Sequence, residues 1–262
     1  MRQFLLALSH RILLGFGRFI SRFLFVIQVH GREHIPRPNG ALLLISNHFS
    51  WFDPVILSLA LPFAPAFLVA TEAQERRWVA FFLRLFEAIP IWRGQVDRTA
   101  LRTAVEMLNR EKVVGIFPEG GINPELAGRV AQGEVIPELR GNAGRQKAEL
   151  IRGRSGAALL AVMSNACILP VGLVGTERIT GNLRRLRRTP ITVCIGPPFG
   201  PLSIDPALTG QARRRQLDAL TDEMMARIAE LLPPENRGYY QNRKTTLHRE
   251  HRDFTEDTER VL

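Results

Sequence analysis

From Phe25 onward, short apolar runs alternate with stretches broken by Gly, Pro, Asn and charge. Phe25–His30, Ala41–Ser46, Ala66–Ala70, Ala88–Trp92, Val113–Phe117, Ile168–Val174 and Ile191–Ile195 read as strands. Helical stretches lie between several of them, at Val55–Leu61, Glu75–Phe86, Ala100–Arg110 and Gly156–Asn165. Gln211–Leu232 is a further amphipathic helix, stopped by Pro233-Pro234. Buried strands alternating with helices predict an α/β fold, a mostly parallel central sheet flanked by helices on both faces.

Three regions depart from that rhythm. In residues 1–27, Arg11, Arg18 and Arg22 fall on one helix face, while Leu13, Phe16, Ile20 and Phe23 supply an apolar one. Arginine interrupts the apolar run too often for a membrane span, and no clean apolar segment ends at a small-residue cleavage site. The pattern predicts an N-terminal amphipathic helix or helix pair docked in the headgroup layer. Packing on the protein's own core is the alternative. Residues 122–153 are polar, glycine-rich and aperiodic, and read as a long surface loop. The segment from Pro233 reads as peripheral. The expected division is a membrane-associated helix at 1–27, one domain at 28–240 and a charged tail at 241–262.

Composition narrows the partners. The 262 residues suffice for one sizeable core, and 45% hydrophobic content is that of a globular chain. Lys plus Arg number 35 against 25 Asp plus Glu, and only Lys112, Lys147 and Lys244 are lysines. Such an arginine surplus fits nucleic acid, anionic lipid headgroups or phosphorylated substrates alike. Arg184-Arg185-x-Arg187-Arg188 and Arg213–Arg215 are basic clusters without a helix-turn-helix, finger or RNP signature, so nucleic acid is not the expected partner. The two cysteines, Cys167 and Cys194, sit in apolar strand-like stretches with no metal-ligand spacing around them, and read as inert core thiols.

The candidate chemistry lies at Asn47-His48-x-Ser50-x-x-Asp53. A strand ends at Ser46 and a helix begins near Pro54, so both His48 and Asp53 occupy a strand-to-helix turn, where open α/β sheets place active sites. Imidazole titrates nearest neutral pH, which makes His48 a natural general base. A carboxylate five residues on can fold back, fix the ring's tautomer and stabilise the imidazolium. The competing account makes Asp53 a helix N-cap ahead of Pro54, with His48 structural. A second strand runs into Pro118-Glu119-Gly120-Gly121, where glycines let backbone N–H groups approach an anion.

These segments resemble, in order, the four sequence blocks of the glycerolipid acyltransferases, the 1-acylglycerol-3-phosphate acyltransferase group. They are Asn47-His48-x-Ser50-x-x-Asp53, the Ala88–Arg93 stretch, Phe117-Pro-Glu-Gly120 and Ile168-Leu-Pro-Val-Gly172. The resemblance covers roughly residues 28–240. It implies a glycerol-3-phosphate acyltransferase-like fold, with His48 as general base and Asp53 as its orienting partner. It also implies Arg93, Glu119 and Gly120 at the acceptor's glycerol phosphate, Pro170 at the donor side or in the core, and Arg154 as a further phosphate contact. The implied reaction moves a fatty acyl group from acyl-CoA or an acyl-carrier-protein thioester to a lysophospholipid hydroxyl. No cofactor and no metal are required, because a thioester is already activated. An anionic membrane surface on the cytoplasmic face is the expected location.

Two departures bear on the acceptor. Many members follow the third block with Thr-Arg-Ser, whereas Gly121-Ile122-Asn123 stands here, and many carry a lysine where this chain has Thr71. Arg129, Arg140 or Arg152 from the long loop are candidates to replace the missing charge. The nearest enzymatic rival, a serine hydrolase, lacks a G-x-S-x-G elbow in this chain. A non-catalytic membrane-bound relative is opposed by the intact His48–Asp53 pair.

Overall fold

The computed structural model describes residues 15–36, 40–70, 88–91, 97–122, 144, 145 and 147–242. The helix expected over Glu75–Phe86, Arg93, Thr71 and most of the 122–153 loop lie outside those residues. Residues 15–24 form helix α1, which leads directly into strand β1 (Phe25–His30). Then follow β2 (Leu42–Ser46), α2 (Asp53–Ala60), β3 (Ala66–Ala70), β4 (Ile89–Ile91) and α3 (Arg98–Asn109). The chain continues through β5 (Val113–Ile116), α4 (Gly156–Ser164), β6 (Cys167–Val174), α5 (Ile179–Arg184), β7 (Thr189–Ile195) and α6 (Gly210–Glu230). The expected strands are all present within a residue or two, and α5 is an addition to the predicted elements.

Among the described residues the strands form one seven-stranded sheet in the order β1-β7-β6-β2-β5-β3-β4. The central strand β2 is buried along its whole length because both faces are covered. Leu43 and Ile45 enter an apolar cluster with α3, α4 and α6, whereas Leu42 and Leu44 enter the opposite one with α2 and Phe67. That division realises the mostly parallel, doubly covered sheet.

One pair is antiparallel, and it sets the polarity of the molecule. β6 pairs parallel with β2, but β7 runs against β6, and β1 runs with β7. Because Phe25 stands beside Thr189, the α1–β1 junction lies past the carboxyl ends of β2 and β6. The turn after β2, which carries His48, is at that same end.

The segment after α6 corrects the expectation that everything beyond Pro233 is peripheral. Tyr240 is fully buried, its hydroxyl donating to Asp222 Oδ1 at 2.9 Å and accepting from Gly153 N at 3.0 Å. Leu150 N donates to Asn236 O and Tyr239 N to Leu150 O, at 2.9 and 3.0 Å. Residues 234–240 thereby pin the chain at 147–153 against the domain. An aromatic ring with one satisfiable hydroxyl is enough to draw a charged segment into the core. Burial pushes the Cys167 and Cys194 thiols up from their ordinary range, as expected of unreactive strand cysteines.

Candidate active site

Asn47 is where β2 stops being a strand. Its side-chain amide imitates a peptide group, donating Nδ2 to Leu173 O at 2.9 Å and accepting Leu173 N at 2.7 Å on Oδ1. This extends the β2–β6 ladder by one position and frees the next backbone amide to turn away. His48 N then donates to Glu119 Oε1 at 2.8 Å. The chain folds back so that Asp53 Oδ2 accepts from Phe49 N and Ser50 N, both at 2.8 Å, and from His48 Nδ1 at 2.9 Å.

A carboxylate can only accept, so the bond to Asp53 places the ring proton on Nδ1 and leaves Nε2 with its lone pair. The imidazole stacks on Phe117, with ring centroids 4.0 Å apart and planes 12° from parallel, and Phe117 stacks in turn on Phe67. One hydrogen bond and one aromatic wall thus fix the ring in tautomer and in plane. Asp53 is fully buried and opens α2, where the helix dipole favours its negative charge. It does not cap that helix: the N-cap residue is Phe52, with no side-chain cap bond. The N-cap account of Asp53 therefore fails, and the carboxylate serves the histidine.

Glu119, in the turn after β5, closes the other side of the site. It is fully buried and holds three segments together, accepting His48 N on Oε1 and both Ile151 N and Arg145 Nη1 on Oε2. Burial pushes the Glu119 carboxyl up, while the Arg145 guanidinium and the two amides pull it down. The net direction is upward, burial outweighing its partners, although every partner is a donor and so favours the ionised form. Arg145 also donates to Ile122 O, Glu149 O and Gly121 O, and its own N–H meets Phe49 O at 2.7 Å. The adjacent Gly120 has φ +78, and a Cβ there would meet Arg154 Cδ at 2.6 Å. Arg154 N donates to Pro118 O at 2.8 Å, which sets this exposed arginine beside the glycine turn.

A buried His–Asp pair beside a glycine turn suits transfer of an acyl or a phosphoryl group alike, and comparison with known proteins selects between them. The Acyltransferase family model matches residues 26–174, more than half of the chain. The chain belongs to the acyltransferase family. The 1-acyl-sn-glycerol-3-phosphate acyltransferase of Bacillus subtilis (strain 168) is 22% identical over 206 residues, which span 78% of this chain and 87% of that protein. The protein of the same name from Streptococcus pneumoniae (strain ATCC BAA-255 / R6) is 24% identical over 160 residues, 60% of this chain and 51% of its own length. In fold, this acyltransferase resembles the crystal structure of the 1-acyl-sn-glycerophosphate acyltransferase PlsC from Thermotoga maritima. The TM-score is 0.53 at 21% identity, over 84% of this chain and 80% of that one.

The acyltransferase brings His48, Asp53, Glu119, Gly120 and Arg154 to one end of the sheet, and Arg93 lies outside the described residues. Glu119, expected at the acceptor's glycerol phosphate, here accepts His48 N, Ile151 N and Arg145 Nη1, and so ties the His48 turn to two other segments. Of the arginines expected from the long loop, Arg152 is exposed, and Arg129 and Arg140 lie outside the described residues. Arg145 is the one that reaches Glu119, and sequence reasoning missed it. The available signal was indirect: a buried acid needs a counter-charge, and the family's usual arginine after the third block is absent.

Proposed function

We propose that this acyltransferase transfers a fatty acyl group from a thioester, acyl-CoA or acyl-carrier protein, to the free hydroxyl of 1-acylglycerol-3-phosphate, giving phosphatidic acid. The observation that carries this reading is the Nδ1–Oδ2 bond between His48 and Asp53, which leaves Nε2 as the acceptor of a proton. The names of the two curated relatives support the choice of acceptor. His48 Nε2 takes the hydroxyl proton as the oxygen forms its bond to the thioester carbonyl carbon. The tetrahedral oxyanion collapses, the carbon–sulfur bond breaks, and the imidazolium returns the proton to the departing thiolate.

General-base assistance is worth about 10²–10⁴ in rate. Holding the two substrates together adds up to roughly 7–11 kcal/mol in intramolecular models, so positioning carries the larger share. Arg154 beside the Gly120 turn, with Arg93 from the second block, would hold the acceptor's phosphate. The reaction calls for no metal or cofactor of the protein's own.

The lipid acceptor places the work at a membrane, on the cytoplasmic face where thioester donors are made. Phe16, Phe19 and Phe23 support α1 as the docking element: they share a helix face and are each more than half exposed. The opposite face is the one that packs, Arg18 donating to Leu59 O and Leu61 O at the end of α2. Among the described residues no helix is long and apolar enough to cross a membrane. The test is mass spectrometry of products formed from mixed acyl thioesters and a panel of lysolipids. Diacylated phosphatidic acid with one thiol released per product, both lost in His48→Ala, is the expected result. Free fatty acid without a diacyl product would replace transfer by hydrolysis.

A further inference from the structure

The end of α5 carries a feature that the chemistry of the site does not use. Leu186 N donates to Leu183 O and Arg187 N to Asn182 O, the two bonds that close a helix through a left-handed residue. That residue is Leu186, with φ +52, where glycine or asparagine is the ordinary occupant. Its side chain is 97% exposed. A single exposed leucine is unremarkable by itself. A leucine held in a disfavoured backbone region while it projects into solvent has two unfavourable terms, and at 97% exposure little packing among the described residues offsets them. Its flanks, Arg184, Arg185, Arg187 and Arg188, are all exposed.

The turn is also tied to the N-terminal helix. Arg188 Nη2 donates to Arg22 O at 2.6 Å and Phe25 O at 3.0 Å, across the α1–β1 junction. Because β7 runs against β6, the turn before β7 projects past the carboxyl end of β2, at the His48 end of the sheet.

We infer that the Arg184–Arg188 turn is a second contact of this protein with an anionic lipid bilayer. Leu186 enters the acyl boundary, and the flanking arginines take lipid phosphates. An apolar tip inside a basic ring matches the two layers of such a surface, with hydrocarbon below and phosphate above. A nucleic-acid backbone offers the arginines the same phosphates but gives the leucine nothing. The inference rests on the membrane-bound acyltransferase reading and extends it from α1 to the turn that Arg188 ties to the α1–β1 junction. A second contact beside that junction would set the orientation of the site to the bilayer, which one helix alone leaves free to roll.

Flotation of the full chain with vesicles of phosphatidylcholine containing phosphatidylglycerol tests it. Leu186→Asn keeps a residue that tolerates the left-handed conformation, so the melting temperature should hold or rise while vesicle affinity falls about tenfold. Arg185→Gln with Arg187→Gln should lower affinity for the anionic vesicles about thirtyfold at low salt, and affinity for pure phosphatidylcholine little. Turnover of a short-chain lysolipid below its micelle concentration should stay at the wild-type rate in both variants. Wild-type flotation of Leu186→Asn would overturn the proposal, as would loss of duplex DNA binding in the arginine variant with vesicle binding intact. Failure of the wild type to acylate any lysolipid, with Leu186-dependent flotation intact, would instead remove the acyltransfer reading and leave the contact standing.

Discussion

Asp97 and Asp53 each stand at the first turn of a helix, α3 and α2, and their carboxylates point opposite ways. Asp97 is extended at ψ 93 and turns its side chain forward, Oδ1 accepting Thr99 N and Ala100 N, both at 3.0 Å. Asp53 lies one position further in and turns backward onto the three residues that precede its helix, His48, Phe49 and Ser50. α2 thus starts with no side-chain cap, forgoing a bond typically worth about 1 kcal/mol. The difference teaches that a residue type at a helix start does not fix its job; the partners in reach do. At α3 the carboxylate takes two of the helix's own amides. At α2 a reversed turn offers an imidazole N–H and two amides first, and local stability is given up for a fixed histidine.

The largest effect should come from breaking the backward-facing carboxylate. His48→Ala and Asp53→Asn should each lower kcat about 10³–10⁴-fold, roughly 4–5 kcal/mol of barrier. Asparagine keeps an oxygen for the amides of Phe49 and Ser50, so the turn survives and only the charge is lost. Thermal melting run beside the kinetics separates the two roles. A lower melting point with wild-type kcat in Asp53→Asn would make its carboxylate a structural group, like that of Asp97.

That contrast marks how far the sequence was legible. The strand positions were readable because β2 and β6 are short continuous apolar runs bounded by Gly, Pro and Asn, as a strand buried on both faces produces. His48 and Asp53 were readable as a pair, but not as a geometry: an aspartate before proline fits a cap and an orienting partner equally well. The choice depends on a turn closed by Glu119 and Arg145, which lie 71 and 97 residues from His48. No local pattern marks Arg145 within Ala143-Gly-Arg-Gln-Lys147, since its partner is distant in sequence. Tyr240 escaped for the same reason, as its burial depends on Gly153 and Asp222 rather than on its charged neighbours. Leu186 stands in the sequence only as the residue inside a basic cluster, because exposure and φ are not written in composition.

Next in size is the long-range side of the same turn. Removing one partner of the buried Glu119–Arg145 pair leaves the other charge uncompensated, so Glu119→Gln should destabilise the fold by about 3 kcal/mol. Arg145→Gln should do likewise. The double variant should recover part of the loss, because neither charge is then left unpaired. A double-mutant cycle by denaturant unfolding reads this directly, and additive losses would show that the two groups act independently.

A smaller effect tests whether the aromatic wall matters to His48. Gly115 is the one position of β5 where Phe67 can cross the strand: a Cβ there would meet the ring at 2.4 Å. Gly115→Ala should therefore push Phe67 against Phe117, and Phe117 against the imidazole, at a cost of about 1–3 kcal/mol from overpacking. kcat should fall several-fold along with stability. Phe67→Leu in the same chain removes the clash and should restore stability first. Unchanged kcat in a destabilised Gly115→Ala would mean that Asp53 alone fixes the ring.

The smallest effect closes the comparison from the other side. Asp97→Ala removes both side-chain bonds at the start of α3 and should cost about 1 kcal/mol, as caps of this kind do. Asp97→Ser, which can accept the same two amides, should return most of it. kcat should stay within error of the wild type in both variants, because the Asp97 carboxylate accepts from Thr99 N and Ala100 N, whereas His48 is held by Asp53 and Phe117. A fall in kcat larger than the stability loss explains would mean that strain at the start of α3 reaches the site. The two aspartates would then differ in distance from His48 and not in kind.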